Sequence, residues 1–117
     1  PTFSEPGLPA RQHTELVISA AAEDDVLHRW PFDRSPWAVT KSRATTRSAS
    51  KRWRDKRDAA RDHADALVVQ NSRVAGKRIL VFDDVCTTLC QQEYVARTLV
   101  QAGAAKVDGL VLARGEF

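Results

Sequence analysis

Two adjacent acids followed by two threonines are the residues of this chain whose spacing could support chemistry. Asp83 and Asp84 come directly after the apolar run Ile79 to Phe82, and Thr87 and Thr88 follow after two further residues. Carboxylates accept hydrogen bonds from sugar hydroxyls or from water on a magnesium ion, whereas threonine hydroxyls can donate to a phosphate. A site that combines both kinds of group fits a ribose 5-phosphate.

The segments around this motif predict a strand, a loop, a helix and a second strand. Ile79 to Phe82 and Val107 to Ala113 are continuous apolar runs, which are typical of parallel strands buried on both faces. Gln92 to Ala102 has the period of a helix, and Gly103 suits its C-terminal cap. Such a unit should have a right-handed crossover. Its helix start offers unpaired N–H groups to an anion at the carboxyl end of the first strand, where ligands of open α/β sheets bind.

The upstream half predicts further helices and one short strand. Arg11 to Glu23 and Arg52 to Gln70 have helical periods, Trp37 to Thr40 is a short apolar run, and Gly76 marks a turn. Ser42 to Ser50 is rich in Ser, Thr and Arg without periodicity, so we expect it to be poorly ordered without ligand. Together these segments predict an α/β fold, a mostly parallel sheet with flanking helices, in one domain.

Composition and missing motifs argue against several classes of protein. The 117 residues hold no apolar run long enough to cross a membrane and no signal peptide. Cys86 and Cys90 are too few for a disulfide framework, which predicts two free thiols and a cytoplasmic protein. The three histidines have no metal-ligand spacing. The chain contains neither a Walker A sequence nor GxGxxG, which argues against a nucleoside triphosphatase and a Rossmann dehydrogenase.

Positive charge is concentrated between residues 41 and 61. This stretch holds nine of the 18 lysine and arginine residues but only two acids, Asp55 and Asp58. Such a cluster attracts phosphate, pyrophosphate or a nucleic-acid backbone. The alternative is a solvated surface that binds nothing.

The apolar strand followed by Asp-Asp, a small apolar residue and Thr-Thr resembles the PRPP-binding signature of type I phosphoribosyltransferases. Val95 to Ala104 and Val107 to Arg114 are similar to the ComF-like branch of that family. The resemblance is tight over residues 76–114 and looser over 37–70. It implies a PRPP site at Val81 to Gln91, with Asp83 and Asp84 as the catalytic-site acids on the ribose hydroxyls. The 5-phosphate would be held by Val85, Cys86, Thr87, Thr88, Leu89, Cys90 and Gln91.

The resemblance also implies where pyrophosphate and metal would bind. Residues 38–45 are similar to the stretch before the family's flexible loop, and Pro1 to Ala10 lies where its pyrophosphate loop would be. The family's first strand would precede Pro1, so the domain is expected to be N-terminally incomplete. Mg²⁺ would be bound mainly through PRPP. The basic candidates for pyrophosphate are Lys41, Arg43, Arg47, Lys51 and Arg52.

The function implied is transfer of a phosphoribosyl group from PRPP to an unidentified nitrogen acceptor, with release of pyrophosphate. One alternative is a non-catalytic protein of the same fold, a PRPP or nucleotide sensor or a DNA-uptake accessory. A second alternative is a nucleic-acid-binding module that uses the basic stretch 41–61. The oligomeric state is open, and a homodimer is one of the options.

One departure from the signature bears on activity. Leu89 stands where the family has its loop glycine, and Gln91 replaces a frequent Thr or Ser. Glycine serves where the backbone needs a positive φ or must approach a ligand closely. Leucine there predicts either a strained left-handed residue or a loop of different shape. In both cases we expect weak PRPP binding and low turnover.

Overall fold

The computed structural model describes residues 13–34, 36–45, 53–86 and 89–115. These residues form helices and two small sheets, so the protein is an α/β domain. The elements in chain order are α1 (His13–Asp24), β1 (Val39–Lys41), α2 (Trp53–Asp65), β2 (Leu67–Val69), α3 (Asn71–Val74), β3 (Arg78–Cys86), α4 (Cys90–Gln101) and β4 (Lys106–Arg114).

The second half of the chain is the strand–helix–strand unit that its sequence predicts. β3 and β4 are parallel neighbours, with Ile79 opposite Val107 and Cys86 opposite Arg114. The crossover between them contains α4. β3 is longer than the apolar run, because its pairing with β4 continues beyond Phe82. The two acids therefore lie within the last residues of the strand rather than after it.

The first half differs from the predicted pattern in one helix. The helix expected over residues 52–70 ends at Asp65, and Leu67–Val69 instead forms β2, which pairs antiparallel with β1. The backbone N–H and the hydroxyl of Ser42 both donate to the carbonyl of Ala66, at 2.8 and 2.9 Å. The described strands thus make one parallel and one antiparallel pair, in place of the mostly parallel sheet expected.

A single cluster of buried side chains joins the two sheets. Leu99 and Val74 are almost fully buried, and Val95, Ala38 and Ala104 complete the cluster. Partly buried residues of both sheets pack against it: Val39, Leu67, Val69, Ile79, Val81 and Val107. Because α4 supplies two of the central side chains, this helix is fixed firmly over one face of β3 and β4.

The expectation that both apolar strands are buried on two faces is wrong. Side chains alternate along a strand, and Ile79 and Val81 face the core beneath α4. On the alternate positions, Leu80, Leu110 and Leu112 have 61%, 48% and 67% of their surface exposed. An unbroken apolar run shows that a strand is hydrophobic, but not how many layers cover it.

Two glycines form the turns of the strand–helix–strand unit near the amino end of β3. Gly76 and Gly103 have φ of +73° and +99°, and the N–H of Gly76 donates to the carbonyl of Gly103 at 2.8 Å. Residues with a side chain rarely adopt this left-handed backbone. The predicted turn at Gly76 and the predicted end of α4 at Gly103 are both confirmed.

Candidate functional site

The two acids lie at the carboxyl end of β3 and are half-buried. The Asp83 carboxylate accepts the backbone N–H of Asp84 at 3.0 Å, and the Asp84 carboxylate accepts that of Val85 at 2.8 Å. In both residues the oxygen that accepts this hydrogen bond is Oδ1. Two carboxylates in sequence at a strand end can accept hydrogen bonds from neighbouring hydroxyls.

Burial raises the pKa of Asp83 above its ordinary value. The N–H of Asp84 lowers that pKa by hydrogen bonding, while the negative charge of Asp84 raises it further. The fold therefore holds a charge at a position where burial disfavours the ionised form. Sites with this property are over-represented among functional residues, although structural networks also produce them.

The start of α4 and the end of β4 lie at the same corner as Asp83. The buried Cys86 thiol has its pKa raised first by burial and then by the charge of Asp83, with a smaller contribution from Cys90. The positive charge of Arg114 lowers it. The Cys86 carbonyl also accepts the N–H of Gly115 at 3.0 Å. We call this corner, defined by Asp83, Asp84, Cys86, Cys90 and Arg114, the β3–α4 corner.

Arg114 is the member of the corner that the sequence did not assign to a role. It is the last residue of β4, opposite Cys86 and exposed. The signal was present in the sequence: the two apolar runs of a parallel pair end at one edge, so a cation that ends the second run lies beside acids that end the first.

Leu89 precedes α4 and has an ordinary helical backbone. Its φ is −62° and its ψ is −1°, and its side chain is 67% exposed. The left-handed strain expected for a leucine at this position is therefore absent. At Leu89 itself the backbone needs no positive φ. Cys90 begins the helix, and both cysteines are free and buried.

The helix start has the groups that favour an anion, with one opposing charge. First-turn N–H groups of a helix lack intrahelical partners and carry the positive end of the dipole. Glu93 lies in the first turn of α4 and places a negative charge there. Its carboxylate is paired with Arg97 at 2.5 Å, which offsets that charge.

The described basic candidates for pyrophosphate lie at the end of β1 and just after it. Lys41 ends β1, and its Nζ donates to the hydroxyl of Thr45 at 2.5 Å; burial lowers its pKa. Arg43 forms an ion pair with Asp62 at 2.6 Å. Both cations therefore have local partners. Neither belongs to β3, α4 or β4.

Several of the predicted site residues cannot be placed. The predicted mobile segment is described only over residues 42–45, and these make the hydrogen bonds given above. The remainder of that segment, 46–50, lies outside the described residues. So do Pro1 to Ala10, Thr87, Thr88, Arg47, Lys51 and Arg52.

The exposed side chains of α2 are balanced in charge. Arg54, Arg57 and Arg61 are exposed, and so are Asp55, Asp58 and Asp65. Folding therefore places three acids among three arginines on this surface. The exposed side chains of α2 therefore add no net positive charge to the basic stretch 41–61.

No family model, no curated protein and no solved structure was found to match this chain. Among the described residues, none of the helices has the length and apolar character needed to cross a membrane.

Proposed function

We propose that this chain is a PRPP-binding domain of the type I phosphoribosyltransferase kind, with its site at the β3–α4 corner. The observation that carries the proposal is the placement of the Asp-Asp pair at the carboxyl end of a parallel strand whose crossover helix begins at the same corner. The motif alone could be a capped turn. In a strand–helix–strand unit it has the setting in which α/β proteins bind phosphorylated ligands.

Each part of the corner has a role in this proposal. Asp83 and Asp84 accept hydrogen bonds from the 2- and 3-hydroxyls of the ribose. The start of α4 and the loop before it hold the 5-phosphate. The reaction breaks the bond between ribose C1 and the pyrophosphate oxygen and forms a bond from C1 to a nitrogen acceptor, which loses a proton. Positioning and charge stabilisation provide most of the catalysis of such a transfer.

Arg114 adds a positive charge to this corner. We propose that Arg114 faces the phosphate-bearing ligand. The sequence analysis assigned the binding of pyrophosphate to basic residues of the stretch 41–61. Lys41 and Arg43 fit that role less well, because each already has a partner, Thr45 and Asp62 respectively.

The corner fits a magnesium ion that is carried by PRPP. Its two carboxylates provide the oxygen atoms that Mg²⁺ prefers, but the described residues contain no group of three acid, histidine or cysteine side chains able to hold a metal alone. When bound with PRPP, Mg²⁺ supplies neutralisation of the pyrophosphate charge. Asp83 and Asp84 would contact the ion or its water only as part of the PRPP complex.

A non-catalytic PRPP-binding protein of the same fold is the second candidate. Leu89 favours it, because a loop reshaped around leucine directs fewer amides at the phosphate. Each charge-assisted hydrogen bond lost would cost about 1.5–3 kcal/mol of binding free energy. The nucleic-acid alternative gains nothing from α2, whose described exposed side chains are balanced in charge.

Calorimetry with PRPP and Mg²⁺, followed by a screen for pyrophosphate release with nitrogen heterocycles, tests the proposal. We expect measurable binding that Asp84→Asn weakens about tenfold or more, since a charged acceptor is replaced by a neutral one. Asp58→Asn, an exposed acid on α2, is the matched control and should bind as the parent does. Binding without turnover would support the non-catalytic candidate. Equal affinities of the Asp84 variant and the parent would contradict the site.

A further inference from the structure

A cavity of about 350 Å³ lies between the first turns of α4 and the covered face of β3 and β4. Its size is within the range of pockets that hold small organic molecules. One wall is a helix and the other is a sheet, so a flat molecule can contact both. The cavity is lined by Val81, Leu89, Gln92, Glu93, Ala96, Val107, Asp108 and Gly109.

One polar atom of this lining has no hydrogen-bond partner. The Nε2 atom of Gln92 is screened from solvent and unpaired within the part of the chain that the structure describes. The other end of the same amide lies against Gly109, where an added Cβ would be 2.9 Å from Oε1. A buried donor without an acceptor is costly. Rotation of the Gln92 side chain toward the cavity would bring this atom to an acceptor on a ligand.

The charged side chains of the lining already have partners. Glu93 is paired with Arg97 at 2.5 Å, and Asp108 is paired with Lys106 at 2.9 Å. Glu93 and Asp108 therefore contribute little net charge to the lining. The remaining contacts offered by the lining are apolar, apart from the one amide donor.

We propose that this cavity binds a neutral, planar ring compound with one hydrogen-bond acceptor directed at Gln92 Nε2. The apolar walls would bury the faces of the ring, and the amide would fix its orientation. This site differs from the phosphoribosyl site in its mainly apolar lining, which lies between α4 and the sheet. Leu89 borders both sites. A ligand in the cavity would therefore contact the loop that precedes α4.

Amide NMR titration with quinoline and naphthalene tests the proposal. The two bicyclic rings differ in one ring nitrogen, which is the acceptor in quinoline. We expect both to shift the amide signals of Val81, Val107 and Gly109, with quinoline binding about threefold to tenfold tighter, the range of one net hydrogen bond. Equal affinities, or shifts confined to other residues, would overturn the proposal. No PRPP is present, so the result does not depend on the phosphoribosyl function.

Variants on α4 test whether the preference for quinoline over naphthalene comes from the Gln92 amide. Gln92→Leu keeps a side chain of similar size without the donor, and the preference for quinoline should fall to about onefold. Gln101→Leu makes the same change at the exposed end of the helix and should leave the preference unchanged. Ala96→Leu fills the cavity and should abolish binding of both rings, with unchanged thermal unfolding as its test of folding. A preference that survives Gln92→Leu would refute the assignment to this amide.

Discussion

At the scale of single residues, the most informative group is the half-buried carboxylate of Asp83. Its raised pKa shows that burial works against its charge, and the hydrogen bond from the Asp84 N–H recovers only part of that cost. Hydroxyl donors on a ligand would stabilise the ionised form, which accords with a role in sugar binding.

Leu89 is the residue at which the proposed phosphate loop can be tested. Its φ of −62° means that Leu89→Gly relieves no strain. The substitution instead permits the left-handed and close-approach conformations that leucine prevents. We expect PRPP affinity to rise about tenfold, measured by calorimetry.

Leu89→Ala is the control for this change. It removes the exposed side chain but keeps the Cβ that restricts the backbone. It should leave PRPP affinity close to that of the parent. An equal gain for both variants would assign the effect to the leucine side chain rather than to backbone freedom.

His63 provides a pH-dependent contribution to stability. The side chain is buried on α2, and burial, together with the charge of Lys41, lowers its pKa from 6.5 to about 4. The unfolded chain therefore binds a proton more readily between these values. Stability from the neutral imidazole is present above pH 6.5 and is lost as pH falls toward 4. The loss should be on the order of 3 kcal/mol in the free energy of unfolding.

Urea unfolding at a series of pH values measures this effect. His63→Leu should flatten the dependence between pH 6.5 and 4. His28→Asn is the matched control, because His28 is exposed and its φ of 49° is one that asparagine tolerates. A parent protein whose stability does not change in this window would show that His63 is not held neutral by burial.

At the scale of elements, the sequence predicted the second half of the chain better than the first. β3, α4 and β4 were each anticipated, because their apolar runs and helical period are strong local signals. The helix over residues 52–70 was overextended, since Leu67 and Val68 continue a helical pattern but gain more by pairing with β1. Pairing between distant segments is not visible in local periodicity.

The candidate site was predictable only in part, because some of its residues come together through pairing between distant segments. The acids and the helix start are local in sequence, and their spacing placed them together. Arg114 arrives from a separate strand, so its position depends on the parallel register of β3 and β4. The backbone angle of Leu89 depends on the shape of the whole loop, which residue types alone do not determine.

The turn that joins α4 to β3 and β4 depends on the left-handed backbone of Gly103. Gly103→Ala should lower the free energy of unfolding by about 1–2 kcal/mol, because φ of +99° is unfavourable for alanine. Its Cβ would also approach that of Ala75 at 3.4 Å. Chemical denaturation measures the change.

Gly109→Ala is the comparison for this element. Its backbone φ is not in the left-handed region, and its added Cβ would meet only the flexible end of the Gln92 side chain. We expect a smaller loss of stability than for Gly103→Ala. The reverse order would show that the turn tolerates a side chain.

At the scale of the whole molecule, the parallel pair is covered unequally. α4 covers one face, which contains the core contacts, while Leu80, Leu110 and Leu112 remain exposed on the other. The sequence could not indicate this difference, because both faces of each strand are apolar. Coverage is a property of how layers assemble, and it is decided by all the elements together.

The central claim is that PRPP binds at the β3–α4 corner of this fold. The measurement that tests it most directly is an amide NMR titration of the intact chain with PRPP and Mg²⁺. We expect the largest shifts at Asp84, Cys86, Cys90 and Arg114, with little change in the buried residues of α2. The account would be contradicted by saturable shifts that are confined to α2 and β1. It would also be contradicted if these four residues did not shift at a PRPP concentration at which calorimetry shows the protein to be saturated.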